Sequence, residues 1–183
     1  MRLFIAVTLP PLWKDRMDAA ADHLRTHTEH CIPTPRGTFH LTLSFLGETE
    51  DKRLPEVIAA MDQVQTKPFP LVSAGIGQFH LKEGDLWWMG MEPSPALMDL
   101  QARLTSSLLE AGFPVSEKPY QPHASLARQV QPKPSLRAED LEALLPAMSF
   151  EVNYMTLFRS DWNRGNLFYT PLHRTHFSAP AAE

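Results

Sequence analysis

Two stretches of this chain repeat one order of elements at nearly one spacing, and that repeat limits the folds open to it. From Phe4 to His40 is 36 residues, and from Trp87 to His123 is again 36. From His40 to Phe69 is 29, and from His123 to Phe150 is 27. Identity between the halves is low, so the repeat lies in periodicity rather than in residues. In the first half, Arg2–Leu9 is an apolar run of strand character, and Pro11–Thr26 carries Leu12, Met17, Ala20 and Leu24 at helical spacing. Phe39–Leu46 alternates Phe39, Leu41, Leu43 and Phe45 with His40, Thr42 and Ser44, the period of a strand. Asp51–Gln65 returns to helical period, and Phe69–Phe79 is strand-like with Gly75 and Gly77 at bulges or turns.

The second half repeats the grammar. Leu86–Met91 is a strand; Ser94 caps a helix running to Ala111 that Gly112 closes. His123–Val130 is a strand, Ala138–Met148 a helix and Phe150–Arg159 a strand. The reading is one domain over 1–183 with two βαβ-type lobes, each presenting a histidine strand. Lobe one covers roughly 1–80 and lobe two roughly 85–160; a closing strand covers roughly 166–177 and a frayed tail 178–183.

Composition narrows the classes. Lys and Arg number 17 against 21 Asp and Glu, a net charge of −4, so no global basic field holds long DNA or RNA, although a local basic groove is compatible with it. Cys31 is the single cysteine, which excludes an internal disulfide framework and any C-x-x-C zinc or redox motif. The apolar run at the N-terminus stops at Pro10-Pro11 without a cleavage site, and nothing approaches the ~18–20 apolar residues of a membrane span. A cytoplasmic, soluble monomer is the expectation.

The histidines carry the chemistry. With 23 Ser and Thr in 183 residues, chance places one two positions after a histidine about once in eight, yet the pattern occurs four times. Only His40-Leu41-Thr42 and His123-Ala124-Ser125 are followed by leucine, sit on a strand and hold equivalent places in the repeat. His173 and His176 read as an exposed edge strand. Residues i and i+2 of a strand share a face, so His40 projects with Thr42 and His123 with Ser125. Two such strands across a pseudo-two-fold give a pocket of two imidazoles and two hydroxyls. One imidazole can take a proton while the other gives one, and the hydroxyls can hold anionic oxygens between them. A phosphodiester whose charge grows in the transition state is the natural occupant, as in opening or closing a ribose cyclic phosphate.

Other candidates divide by parity. Arg128 could clamp a phosphate, but strict alternation puts it opposite His123 and Ser125, so only a bulge or the strand's end brings it in. Phe45 shares parity with Leu41 and is expected in the core. Stacking on a base is the alternative for Phe45 and is open to Tyr120 and Trp162 as well, and Trp162-Asn163-Arg164-Gly165 reads as a turn at the surface or overhanging the cleft. His23, His27, His30 and Cys31 are read as a solvated helix end, with no metal site. No G-x-x-x-x-G-K-[S/T] or G-x-G-x-x-G motif is present, which disfavours an ATP-dependent ligase.

FHLTLSFLGE at Phe39–Glu48 and PYQPHASLAR at Pro119–Arg128 resemble the paired motifs of the two-histidine (2H) phosphoesterases. Among these they are most similar to the bacterial and archaeal RNA 2′,3′-cyclic phosphodiesterases, also called 2′-5′ RNA ligases. RLFIAVTLP, LWWMGM and NRGNLFYTPLHR resemble family segments in the same order. Ser125 stands where threonine is commoner and keeps the hydroxyl.

The resemblance implies an α+β, bilobed, pseudo-two-fold duplicated β-α-β-α-β fold whose antiparallel sheets face a central cleft. It implies metal-independent hydrolysis of an RNA or nucleotide 2′,3′-cyclic phosphate to the 2′-phosphomonoester, without a cofactor. By motif, His40 is the proton donor and His123 the proton acceptor, while Thr42, Ser125 and Arg128 bind the phosphate. RNA 3′ ends or cyclic nucleotides are the expected partners, with neither membrane nor DNA. The alternatives are 2′-5′ RNA ligation, the reverse reaction, and a non-catalytic module that binds RNA ends or nucleotides.

Overall fold

The first strand, β1 (Arg2–Thr8), is buried from Leu3 to Val7, and a strand buried on both faces needs a partner along each edge. A computed structural model describing residues 1–178 supplies both. β3 (His40–Glu48) pairs with one edge and β8 (Tyr154–Asn163) with the other; β9 (Asn166–His176) completes a four-stranded antiparallel sheet in the order β3-β1-β8-β9.

The second sheet has five strands: β2 (Thr28–Pro33), β4 (Phe69–Phe79), β5 (Asp85–Met91), β6 (His123–Pro132) and β7 (Ser149–Val152). Their order is β2-β6-β5-β4-β7, again antiparallel. The α+β class and the duplication hold: β1 with β3 matches β5 with β6, an apolar strand antiparallel to a histidine strand in each half.

Helix α1 (Pro11–Thr26) has Pro11 at its first position and buries Trp13, Met17, Ala20, Ala21 and Leu24, a stripe at 3.6 period. It packs on the second sheet with α4 (Ala138–Leu144); Trp13 meets Phe150 edge-on at 5.0 Å. Helices α2 (Leu54–Asp62) and α3 (Pro95–Glu110) pack together, and the Ser107 hydroxyl donates to the Ala60 carbonyl at 2.7 Å. Ser94 caps α3, its Oγ accepting from the Leu97 amide. Gly112 at φ +83° ends the helix. The Phe113 amide returns to the Leu108 carbonyl and the Gly112 amide to the Leu109 carbonyl, a Schellman closure. A single hydrophobic cluster joins both sheets and the helices.

Several expectations need correction. The boundary drawn at 80–85 does not separate the sheets: β4 belongs with the second and β8 with the first. The reason lies in which strand edges are open. β4 and β5 are joined by the turn at 80–84 and pair as a hairpin, while the edge of β1 left open by β3 takes β8. The strand expected over Phe150–Arg159 breaks at Asn153, because β7 pairs with β4 and β8 with β1. The helix expected from Asp51 starts with a short 3-10 turn and becomes α-helical at Leu54, and α4 stops before Pro146 rather than at Met148. β2 is a strand that periodicity did not announce. Its Thr-Glu-His-Cys-Ile-Pro sequence lies on a sheet edge, pairs only with β6 and has no buried alternation. From residue 179 onward, the tail expected over 178–183 lies outside the described residues. Among those residues, no helix is long and apolar enough to cross a membrane.

Gly77 on β4 stands opposite Trp88 on β5, and a Cβ there would come within 2.2–2.7 Å of three atoms of the Trp88 ring. The bare backbone is what lets the indole lie flat across the sheet. Gly77→Ala is therefore expected to destabilise the protein by about 1–3 kcal/mol through overpacking, read as a lower urea midpoint at unchanged m. An unchanged midpoint would contradict this packing.

Candidate functional site

The two histidine strands are irregular at the same place. On β1, Phe4, Ala6 and Thr8 alternate on one face; their partners on β3 are Phe45, Thr42 and His40. Between Thr42 and Ser44 the register skips Leu43, a β-bulge. On β6, His123 faces Gly90 and Ser125 faces Trp88, and the register then skips Leu126 before Ala127 meets Trp87. Leu43 and Leu126 each stand third after their histidine, and both strands open with the same burial sequence, with residues 45 and 128 exposed.

The bulges decide two questions left by parity. Each adds one residue, so the fifth position after each histidine returns to the histidine's face. Phe45 is accordingly not a core residue: its ring is 48% exposed and stacks on Phe4 at 5.8 Å, 10° from parallel. Arg128 comes to the face of His123 and Ser125, and its charge acts on the Tyr169 hydroxyl.

Each imidazole is held in one tautomer. His40 Nδ1 lies 2.7 Å from the Thr38 carbonyl and His123 Nδ1 lies 2.7 Å from the Gln121 carbonyl, in each case two residues back. A carbonyl only accepts, so Nδ1 carries the proton in both rings and Nε2 is the acceptor nitrogen of each neutral imidazole. His40 Nε2 meets the Thr42 hydroxyl at 2.8 Å, which confirms that residues i and i+2 project together.

The rings are also walled in by matching aromatics. His40 packs against Phe4 at 4.9 Å and edge-on against Tyr169 at 5.4 Å. His123 packs edge-on against Phe79 at 5.1 Å and against Trp88 at 5.5 Å. Burial pushes the His40 imidazole below its ordinary 6.5, and the charge of His123 adds to the fall; the bond to the Thr38 carbonyl opposes both.

Between β3 and β6 lies a cleft of about 320 Å³ whose walls include Thr42, Phe45, Phe79, Lys118, Tyr120 and His123. Tyr120 is fixed rather than free to stack: its hydroxyl donates to the Thr42 carbonyl at 2.7 Å, and burial keeps it protonated by raising its pKa. Gln101 Nε2 donates to the next carbonyl, that of Leu43, at 3.3 Å. Side chains thus satisfy the outer edge of β3, where a further strand would otherwise pair.

Sequence reasoning passed over Phe79, Trp88 and Tyr169, which frame the histidines, and Lys118 on the cleft wall. A signal for the bulge existed, since an arginine at a position of core parity argues that alternation has broken by Arg128. For Tyr169 and Phe79 no local signal exists, because long-range pairing brings them in. His23 and His27 stack ring on ring at 4.0 Å at the end of α1, away from the cleft. Among the described residues, no three His, Cys, Asp or Glu side chains gather as a metal site.

Comparison with known proteins points the same way. The family model for the 2′-5′ RNA ligase superfamily matches residues 10–164. A Geobacillus stearothermophilus protein named RNA 2′,3′-cyclic phosphodiesterase is 31% identical over 147 residues, covering 78% of this chain but only 45% of the relative. An Escherichia coli protein of the same name is 29% identical over 94% of both chains. The crystal structure of E. coli LigT complexed with 3′-AMP superposes with a TM-score of 0.78 at 27% identity, covering 97% of this chain and 98% of that one. With a family match over most of its length and a fold shared end to end, the chain belongs to the 2′-5′ RNA ligase superfamily.

Proposed function

We propose that this protein is a cyclic phosphodiesterase that opens the 2′,3′-cyclic phosphate of RNA 3′ ends or nucleotides to the 2′-phosphomonoester. The observation that carries the reading is the matched pair of imidazoles, each with Nδ1–H tied to the carbonyl two residues back, His123 lining the cleft and His40 Nε2 bonded to Thr42, which lines it as well. Opposed nitrogens of one tautomer suit a displacement in which one proton is taken and another given. The names of the relatives and the 3′-AMP complex support a nucleotide phosphate as occupant.

In this reading His123 Nε2 removes a proton from water as its oxygen attacks phosphorus. The bond from phosphorus to the 3′ oxygen breaks, and His40 Nε2–H protonates that oxygen. The products are a 2′-phosphate and a free 3′-hydroxyl. Thr42 and Ser125 donate to the non-bridging oxygens, and Arg128 adds a charged donor from the same face, where charge develops in the transition state. Both proton transfers are done by side chains, so the chemistry calls for no metal or cofactor. Ligation is the same displacement with an RNA 5′-hydroxyl attacking phosphorus in place of water: the 3′ oxygen again leaves and is protonated, and the product is a 2′-5′ phosphodiester.

The depressed pKa of His40 fits a donor charged by its substrate. Its imidazolium is disfavoured in the free protein, and the negative phosphodiester favours it, so binding loads the proton that catalysis spends.

Two measurements test the reading. His40→Ala and His123→Ala are each expected to lower kcat/KM for 2′,3′-cyclic AMP by about 10²–10⁴-fold, with the double variant little worse than either. Simple multiplication of the two losses would show that they do not act as a pair. By NMR, the His40 ring should titrate below 6.5 in the free protein, its proton lost earlier as pH rises, and at higher pH with 2′-AMP bound. A midpoint at or above 6.5 in the free protein would contradict the burial argument.

A further inference from the structure

The face of the first sheet that carries His40 does not end at the histidine. Phe4 pairs with Phe45 on one side and Phe158 on the other, so all three rings share that face; Phe158 stacks on Phe4 at 5.4 Å. Along β8 the same face continues through Ser160 to Trp162, and along β9 through Tyr169, opposite Ser160, to Leu167, opposite Trp162. β1 begins at Arg2 opposite Ser160, so the hairpin from Asp161 to Phe168 projects beyond the sheet as an arm. Trp162 on this arm is 63% exposed. Four residues at strand rise put it about 13 Å from Phe158, a length of roughly three stacked bases.

Basic groups flank the stripe. Arg2 shares the face of Phe4, and its guanidinium lies 5.4 Å from the Phe45 ring centre. Among the described residues, Arg2, Arg128 and Arg164 have no carboxylate within salt-bridge distance, in a chain whose net charge is −4. On the far side of the arm, Arg159 is neutralised by Asp161 at 2.7 Å. The tip has positive φ at both central residues, Arg164 at 51° and Gly165 at 79°. That is the turn in which Asn-Gly is the favoured pair. A side chain as large as arginine sits there at a conformational cost, which points to a use for its guanidinium.

We propose that this arm and the aromatic face leading to it bind the single-stranded RNA on the 5′ side of the reacting end, with Trp162 as the distal stacking platform. A face that exposes Phe45 and Trp162 and leaves Phe158 and Tyr169 half-buried between them, with unpaired cations beside it, matches a polyanion with bases to stack, and every base offers a π face, so the contact tolerates any sequence. The surface is continuous with the cleft through Phe45 and Tyr169, which both pack on the buried Phe4, so a strand whose 3′ terminus lies at His40 leads onto it. An RNA oligonucleotide, rather than a free cyclic nucleotide, is thus the substrate class this chain is shaped for. The inference rests on the phosphodiesterase reading.

The test compares a pentaribonucleotide ending in a 2′,3′-cyclic phosphate with 2′,3′-cyclic AMP, for the parent, Trp162→Ala and Arg164→Asn. The parent should favour the pentamer in kcat/KM, and Trp162→Ala should cut the pentamer-to-mononucleotide ratio by about ten-fold. Arg164→Asn suits the turn better and should leave thermal stability equal or higher, yet lower the salt dependence of pentamer binding by about one ion. Equal ratios in parent and Trp162→Ala would overturn the inference, as would a parent without length preference. Binding of a fluorescent pentamer ending in a 2′-phosphate separates the two claims. Parent protein that turns over neither substrate contradicts the phosphodiesterase reading. Anisotropy then still decides the arm, which is upheld if Trp162→Ala weakens binding and overturned if it does not.

Discussion

Each half of the site depends on the pairing of a buried strand with a histidine strand, β1 with β3 and β5 with β6. The buried partner keeps strict alternation because both its faces are covered, and its neighbour must match that register or expose apolar side chains. A bulge at the third residue after each histidine is the departure the two pairings share, and each pairing shifts register once more further along. The shared bulge leaves His and Thr or Ser on the cleft face and rotates the fifth residue onto that face as well. One backbone device, used twice, therefore presents three side chains from each strand.

The halves are alike in backbone and unlike in what they present. The fifth residue is Phe45 in one and Arg128 in the other, so one wall offers a ring and the other a guanidinium. His40 sits among Phe4 and Tyr169 with Thr42 on its Nε2, while His123 sits beside Phe79 and Trp88, whose rings also touch each other. Burial disfavours the charged form of His40. Chemically equivalent residues in unequal surroundings are a means of dividing donor and acceptor roles between two imidazoles.

The sequence made much of this legible. The alternation of His40-Leu41-Thr42-Leu43 and the repeat at 36 residues located both histidine strands, and Ser94 and Gly112 marked the limits of α3 with a cap and a closure that the structure contains. What escaped was non-local. β4 lies in the second sheet because it pairs with its hairpin partner β5, and β8 in the first because it fills the remaining edge of β1, a choice of partner no window of residues records. β2 is a polar edge strand without periodicity. Parity places Phe45 in the core only if it runs unbroken, and the bulge that breaks it is visible only in the pairing, where Ile5 and Ala6 skip Leu43.

The most direct measurement follows the phosphorus. ³¹P NMR of 2′,3′-cyclic AMP incubated with the protein, with EDTA present, distinguishes the two possible monoesters. The account predicts that the cyclic resonance is replaced by that of 2′-AMP, the isomer left when His40 protonates the 3′ oxygen. Accumulation of 3′-AMP, or activity that chelation abolishes, would contradict it.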